Sequence, residues 1–393
     1  MNPNKHRGWR IFGFFLVLFL IAGGVFAWKT GFVLNKISQG NANIFGSIVK
    51  SFPGVEKKLA GEDAGRINIL LLGMRGEGVT GGGLLADTIM VLSIHPKQNE
   101  QDTTRASLVS IPRDLYVKVP NREEQQKINA VYALGEERAL HKGGIEDMST
   151  IVGEVSGLDI PYAMTINFQG FKDLVNAVGG ITINLEKPFE EGLQFRGLKK
   201  RCDAVKYTVF SGEYEEKRIQ RKNGTYYANP KRYPLCFEKI SEQAIGELEC
   251  DGNFKLPAGP NLLDGEKALC YARARETSSD FARAERQQEI INLIKEKALS
   301  LGTLTDFSKI SAMIDSLGNN ASTNMEAWEM KRLFDLYQKA GNTGNINHKV
   351  LNTSDEGLLY FPDRNRYPGA GSIILPTGDN YDRIHELFTN LLN

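Results

Sequence analysis

The sequence predicts an α/β fold: a layered α/β/α domain around a central mixed sheet, preceded by a single N-terminal transmembrane helix. Three observations predict it. Short apolar runs bounded by turn residues alternate with stretches of helical periodicity. One uncharged run of eighteen residues follows basic residues at the N-terminus. The composition, 24% charged and 41% hydrophobic over 393 residues with 40 Gly and 14 Pro, excludes collagenous, coiled-coil and low-complexity chains and leaves ample material for a core.

The elements follow in order. Lys5, Arg7 and Arg10 precede the uncharged run Ile11–Trp28, which ends at Lys29. A helical crossing takes roughly 20 apolar residues, so the run suffices. It continues through Val25, Phe26 and Trp28 without a small-residue cleavage pattern, which marks an uncleaved signal anchor over 11–29. The basic residues hold 1–10 in the cytoplasm and place the rest of the chain outside. Residues 30–65 form a linker. Ile67–Leu72, Thr88–Ile94 and Ala106–Ile111 are apolar runs of buried strands. Gly143–Ser156 is a helix with Ile145, Met148, Ile151, Val152 and Val155 on one side. Ala163–Ile166 is a strand, Phe168–Val178 a helix closed by Gly179 and Gly180, and Ile181–Leu185 a strand.

Residues 187–255 break the rhythm with 25 charged residues and three of the four cysteines, and read as an inserted polar segment. Beyond the turn Leu256-Pro-Ala-Gly, Gly265–Ala272 reads as a strand. Phe281–Leu301 is a helix with Ile290, Ile291, Ile294 and Ala298 facing inward. The tail 302–393 adds a helix over Met325–Lys339 and short strands at Val350-Leu351, Leu358–Phe361 and Ile373–Leu375, packed on the same domain.

Charge and cysteines bound the chemistry. Lys plus Arg number 48 against 47 Asp plus Glu, far from the basic excess of a protein that grips nucleic acid. The four cysteines lie on the oxidising side without CxxC or Cys/His spacing, so disulfides are expected ahead of zinc. The expected bridge is among Cys202, Cys236 and Cys250, with Cys270 a buried free thiol. Gly76-Glu-Gly78-Val-Thr-Gly81 matches G-x-G-x-x-G, but the next element is a strand. The dinucleotide fingerprint needs a helix there, so the segment reads as a strand-to-strand loop. Asn223-Gly-Thr matches a glycosylation sequon and is read as incidental.

The informative polar residues stand at strand ends. Asp87 precedes the second strand, Arg113 and Asp114 follow Ile111-Pro112 at the end of the third, and Lys127 opens Lys-Ile-Asn-Ala. Each alone also suits a surface ion pair. The segment 271–288 is richer. Arg273 and Arg275 alternate along a strand end, and Arg283 and Arg286 lie three apart on the next helix. Lysine is absent from it. Arginine forks match phosphate oxygens, and helix N-terminal amides add to the attraction. A solvated face with Glu276, Asp280 and Glu285 as partners is the bland alternative.

Seven blocks stand in sequence: Asn68–Gly73, Ala86-Asp87-Thr88-Ile89-Met90, Ser110-Ile-Pro-Arg113-Asp114, Lys127-Ile-Asn-Ala, Leu256-Pro-Ala-Gly, Leu263-Asp-Gly-Glu-Lys-Ala-Leu, and Tyr271-x-Arg273-x-Arg275 through Asp280-x-x-Arg283-x-x-Arg286-Gln287. In these the chain resembles the LytR-CpsA-Psr family of membrane-anchored cell-envelope enzymes, over 66–301 without the insertion. The resemblance implies a phosphotransferase that moves a glycopolymer, such as teichoic acid or capsule, from a polyprenyl-pyrophosphate carrier to peptidoglycan at the outer side of the membrane. It implies a Mg²⁺ ion beside Asp87 and pyrophosphate held by Arg113, Arg273, Arg275 and Arg283, with Lys127 and Gln287 nearby. It also implies that Asp280 orients arginines, with Arg286 close to that set. Asp114 and Asp280 are the two candidate bases towards a sugar hydroxyl.

One position departs from the pattern. Where many members carry a second metal-side aspartate, two residues after Gly73, this chain has Arg75. Glu77 substitutes for it, or Asp87 and phosphate hold the metal alone, or Arg75 does part of the metal's work. Two other classes stay open: a polyprenyl-pyrophosphate pyrophosphatase, and a non-catalytic cell-wall scaffold. A transcriptional attenuator is disfavoured, because the topology places the body away from DNA and no basic helix-turn-helix is present.

Overall fold

The computed structural model describes residues 57–391, apart from 80–81, 97–103, 140–142, 198, 223, 240–248, 301–316, 327, 331, 334–335, 337–345 and 354–356. The expected span Ile11–Trp28, the linker up to residue 56, Gly81, Asn223 and the side chain of Ala298 lie outside the described residues. Among the described residues, no helix is long and apolar enough to cross a membrane. Two compact units are present, one within Met1–Ile181 and Ala284–Asn393, the other within Thr182–Arg283.

The first unit is mixed α/β. It contains β1 (Ile67–Met74), β2 (Thr88–His95), β3 (Arg105–Ser110), β4 (Tyr116–Lys118), β5 (Gln125–Lys127) and β6 (Tyr162–Asn167). After seven strands of the other unit come β14 (Ala321–Thr323), β15 (Ile346–Val350), β16 (Leu359–Tyr360) and β17 (Leu375–Pro376). Six of these form one sheet in the order β14-β6-β1-β2-β3-β15. β1 runs antiparallel to β2 and β2 to β3, whereas β1–β6 and β3–β15 are parallel. The sheet is therefore mixed, as its sequence predicts.

Successive strand residues point to opposite faces. Nearly every residue of β1 and β2 is buried, so both faces of the sheet centre are covered, which is why these strands are continuous Ile/Leu/Val/Met runs. β1 and β2 pair directly, so the glycine-rich turn between them is a loop joining neighbours. Gly73 stands opposite Thr88, where an added Cβ would lie 2.9 Å from the Thr88 Cβ; a side chain there would push the strand ends apart.

The helix Gly144–Ser156 buries Ile145, Met148, Ile151, Val152 and Val155, the predicted stripe, and stops at Gly157 with φ +70°. The helix Phe168–Ala177 is capped by Asn167, whose side chain accepts from the Gly170 N–H. In the helix Asp280–Ser300, Ile290 and Ile294 are buried, but Ile291 is only half-buried. Gln288 takes an inward position instead, and its amide donates to Ser110 Oγ at 2.7 Å, the Lys349 carbonyl at 2.9 Å and the Leu108 carbonyl at 3.4 Å. The expected helix over Met325–Lys339 is helical at 328–330, 332–333 and 336 and not at Met325 and Glu326, its other positions lying outside the described residues.

In the second unit β7 (Ile181–Leu185) pairs with β13 (Gly259–Leu263) and β8 (Phe189–Glu191) with β12 (Phe254–Leu256). β9 (Lys200–Arg201), β10 (Tyr207–Lys217) and β11 (Lys231–Glu238) form a three-stranded sheet in the order β10-β11-β9. Two expectations fail here. Gly265–Ala272 is not a strand but most of a helix, Gly265–Arg273. Ala268 to Ala272 are all buried, and an unbroken apolar run has no period to separate helix from strand. The deciding signal is Asp264, whose carboxylate accepts from the Lys267 N–H at 2.9 Å as an N-cap. Arg273 therefore ends a helix and Arg275 lies past the extended Ala274, so the two do not alternate along a strand. Nor is Cys270 a free thiol: it is bonded to Cys250, while Cys202 pairs with Cys236 inside the polar segment.

Candidate active site

In the first unit, register alone assembles four of the sequence-derived residues. Met90 pairs with Ser110 across β2 and β3, and the Ile111 N–H donates to the Ile89 carbonyl. Continuing that ladder past Pro112 sets Arg113 opposite Asp87, and Arg113 Nη1 lies 2.8 Å from Asp87 Oδ1. A second ladder, β4 against β5, pairs Tyr116 with Lys127. It continues through the Ile128 N–H to the Leu115 carbonyl, bringing Lys127 Nζ within 2.6 Å of Asp114 Oδ1. Asp114 is also 3.8 Å from Arg113 Nε. Carboxylates and cations thus alternate along one row, each partly buried, with Arg113 at 17% side-chain exposure and Asp114 at 16%.

Asn129 closes the row, a role the sequence did not assign. Its amide donates to Asp87 Oδ1 at 3.4 Å, and its carbonyl accepts from the Ala86 N–H at 2.9 Å. The available signal was its place in Lys-Ile-Asn-Ala. The C-terminal tail borders the same row: the Ile374 N–H donates to the Asp114 carbonyl and its carbonyl accepts from Tyr116. Gly371 comes so near Lys127 that a Cβ there would stand 4.0 Å from Nζ.

Arg75 and Glu77 follow β1 in the loop to β2. The Arg75 carbonyl accepts from the Phe168 N–H at 3.4 Å, and Glu77 is exposed. Burial, then the Glu136 and Glu77 carboxylates, push the Tyr132 phenol well above its ordinary value. Glu77 is therefore within electrostatic reach of the helix Val131–Arg138, which directly follows the Lys127–Ala130 segment.

The second unit builds an arginine cluster. Arg283 Nη1 lies 2.8 Å from Asp280 Oδ1 and Arg275 Nη1 3.8 Å from the same oxygen, while Arg275 Nε is nearer to Glu276, at 3.1 Å, so the cluster shares Asp280 and includes Glu276. Glu191, fully buried, sets the loop that carries Arg275: it accepts from the Gln194 N–H and from the Thr277 N–H and hydroxyl, each at 3.0 Å. The Arg275 N–H in turn donates to Gln194 Oε1. Nothing in the periodicity of 187–255 singled out Glu191. Arg273 stands apart from this pair, on Glu249 at 2.6 Å; the Cys250–Cys270 disulfide anchors the residue after Glu249 to the helix that ends in Arg273. Further along the helix Asp280–Ser300, Arg286 is buried and Gln287 partly so.

A magnesium ion can be tested against this donor set. Among the described residues no group of three or more His, Cys, Asp or Glu side chains is placed to hold a metal. Asp87 supplies one carboxylate, with Oδ1 engaged by Arg113 and Asn129. That suits Mg²⁺ held by one carboxylate together with ligand phosphate oxygens and water, and does not suit an all-protein cage.

The first unit is thus a mixed sheet with paired aspartates and cations at its strand ends, and the second carries a separate arginine cluster that reaches the start of the helix Asp280–Ser300. The LytR_cpsA_psr family matches residues 38–367, and the chain belongs to it. Among its relatives, an Enterococcus faecalis protein described as polyisoprenyl-teichoic acid–peptidoglycan teichoic acid transferase TagU is 27% identical over 86% of this chain and 86% of its own. The fold is similar to that of protein gbs0355 from Streptococcus agalactiae, with a TM-score of 0.55 and 22% identity over 85% and 89% of the two chains. A structure described as TagT bound to LIIa-WTA superimposes with a TM-score of 0.50 and 19% identity over 86% and 94%.

Proposed function

We propose that this chain is a membrane-anchored phosphotransferase, held by Ile11–Trp28, that moves a glycopolymer from a polyprenyl-pyrophosphate carrier to peptidoglycan outside the cytoplasmic membrane. The observation that carries the reading is the alternating row Asp87, Arg113, Asp114 and Lys127 in a chain of this family. The name of the Enterococcus faecalis relative, which specifies a polyisoprenyl-linked teichoic acid and peptidoglycan, supports both the donor and the acceptor.

In this reading an acceptor hydroxyl attacks the phosphorus next to the glycan. The bond to the bridging oxygen breaks, polyprenyl phosphate leaves, and a phosphodiester joins glycan to acceptor. Such transfers depend on charge neutralisation and alignment more than on covalent catalysis. Arg113 and Lys127 bind phosphate oxygens, as do Arg275 and Arg283 in their own cluster, where Asp280 fixes the forks. Asp114, placed between two cations, accepts the hydroxyl proton. Asp87 would hold Mg²⁺, with Glu77 as the alternative carboxylate, and the ion would supply charge neutralisation on the phosphate oxygens.

The test uses the purified full chain with a polyprenyl-pyrophosphate glycan and a peptidoglycan acceptor, with and without Mg²⁺. Arg113→Ala lowers transfer by at least about 100-fold, the scale for losing one donor to developing charge, and omission of Mg²⁺ abolishes it. Phosphate release without transfer would identify a pyrophosphatase, and no turnover with intact binding would identify a scaffold.

A further inference from the structure

The β10–β11 ribbon of the second unit is largely exposed, and none of its residues takes part in the proposed reaction. From Tyr214 to Lys217 every β10 residue is exposed, and so are Lys231 and Arg232 opposite them. The 21 residues 217–237 hold six Lys or Arg and no Asp or Glu, in a chain whose net charge is only +1. The nearby carboxylates are engaged locally: Glu213 pairs with Lys199 just before β9, Glu215 and Glu216 with Arg201 and Arg232 of the same sheet, and Glu238 with Lys206 of the β9–β10 connection, while Asp203 accepts three backbone N–H groups. The positive charge at the tip is therefore left for something outside the ribbon.

The tip is built. Beyond β10, the Tyr227 N–H donates to the Ile219 carbonyl, the Arg221 N–H donates to the Thr225 carbonyl, and Gln220 bridges Tyr226. This small hairpin presents Lys217, Arg218, Arg221 and Lys222 beside Tyr226 and Tyr227, which are 56% and 52% exposed. Arg221 lies 4.7 Å from the Tyr227 ring centroid, which holds ring and cation side by side. Cations alone fit any anion. Half-exposed tyrosines, with a flat apolar face and a polar hydroxyl, also fit sugar rings.

We propose that this tip binds an anionic glycopolymer, with phosphodiesters on the four cations and sugar rings on Tyr226 and Tyr227. The polymer's class rests on the proposed transferase reading. The site binds the repeating chain of the polymer and not its pyrophosphate, so it acts on affinity and on preference for polymer over short substrates.

The experiment measures binding of the full chain in detergent to a fluorescent glucosylated poly(glycerol phosphate) that lacks lipid and pyrophosphate. Neutral dextran, inorganic polyphosphate and phosphatidylglycerol vesicles are run beside it. Wild-type binding weakens steeply between 50 and 200 mM salt. Substituting Lys217, Arg218, Arg221 and Lys222 together by Ser weakens it about 10-fold or more. Tyr226→Ala with Tyr227→Ala weakens the glucosylated polymer and leaves polyphosphate unchanged. Transfer from a short carrier-linked sugar is unaffected in both variants, which also confirms that they fold. Equal binding by the cation variant, equal binding of dextran, or tighter ribbon-dependent capture of vesicles would overturn the proposal. Binding is read without turnover. A failure of the transferase reading, seen as full transfer by Arg113→Ala, is thereby distinguishable from a failure here.

Discussion

The centre of the first unit's sheet and the ribbon of the second unit are stabilised by opposite means. In β1 and β2 almost every side chain is buried, and apolar burial contributes roughly 1.5–3 kcal/mol per large aliphatic side chain. The three-stranded sheet that contains the ribbon buries few apolar side chains, Phe237 among them; a disulfide ties Cys202, just past β9, to Cys236 of β11, and ion pairs such as Arg201 of β9 with Glu215 of β10 at 2.7 Å link its strands. Exposed pairs contribute about 0–1 kcal/mol each, so of these two kinds of link the disulfide contributes more. The difference teaches where chemistry can be placed. A rigid sheet positions charged side chains at its strand ends to within hydrogen-bonding distance. A ribbon without a core can instead offer charge along an open surface.

Three tests sharpen this contrast, in order of expected effect. Leu70→Ala, at a fully buried site in β1, costs about 2–5 kcal/mol in urea unfolding, whereas Val205→Ala at 85% exposure changes stability by less than about 0.5 kcal/mol. An equal cost at both positions would break the comparison. Replacing Cys202 and Cys236 together by Ser opens a link spanning 34 positions and removes about 2–4 kcal/mol from the ribbon. Limited proteolysis then cuts within 203–235 while the first unit's sheet stays protected; loss of the sheet as well would show that the two are not independent. Gln288→Leu strands the Ser110 hydroxyl and removes an additional donor from the Lys349 and Leu108 carbonyls at the β3–β15 pairing. It costs about 1–3 kcal/mol by thermal denaturation, and Gln288→Glu costs at least as much, because a carboxylate cannot donate to carbonyl oxygens.

Legibility followed the same division. Strand ends were readable because β1, β2 and β3 announce themselves as apolar runs, and the residues just outside them, Asp87, Arg113 and Asp114, must then sit at the sheet's rim. The helix Gly144–Ser156 was readable because its buried positions repeat at helical spacing. The helix Gly265–Arg273 was not, because five buried residues in a row erase the period, although Asp264 held the information as a cap. Reading that segment as a strand misplaced Arg273 and Arg275 and left Cys270 unpaired.

The sequence by itself determined the element types wherever periodicity was clear, the order of the family's motifs, and which residues carry charge next to strand ends. These are local properties, set by side-chain chemistry over a few neighbouring positions. Tertiary structure decided which charges meet. Asp87 and Arg113 are 26 positions apart and are joined by antiparallel register; Cys250 finds Cys270, and Glu191 is buried beneath the loop of Arg275. Such pairings depend on register and chain return, which are fixed by burying the whole apolar surface at once and so are written in no single stretch of residues.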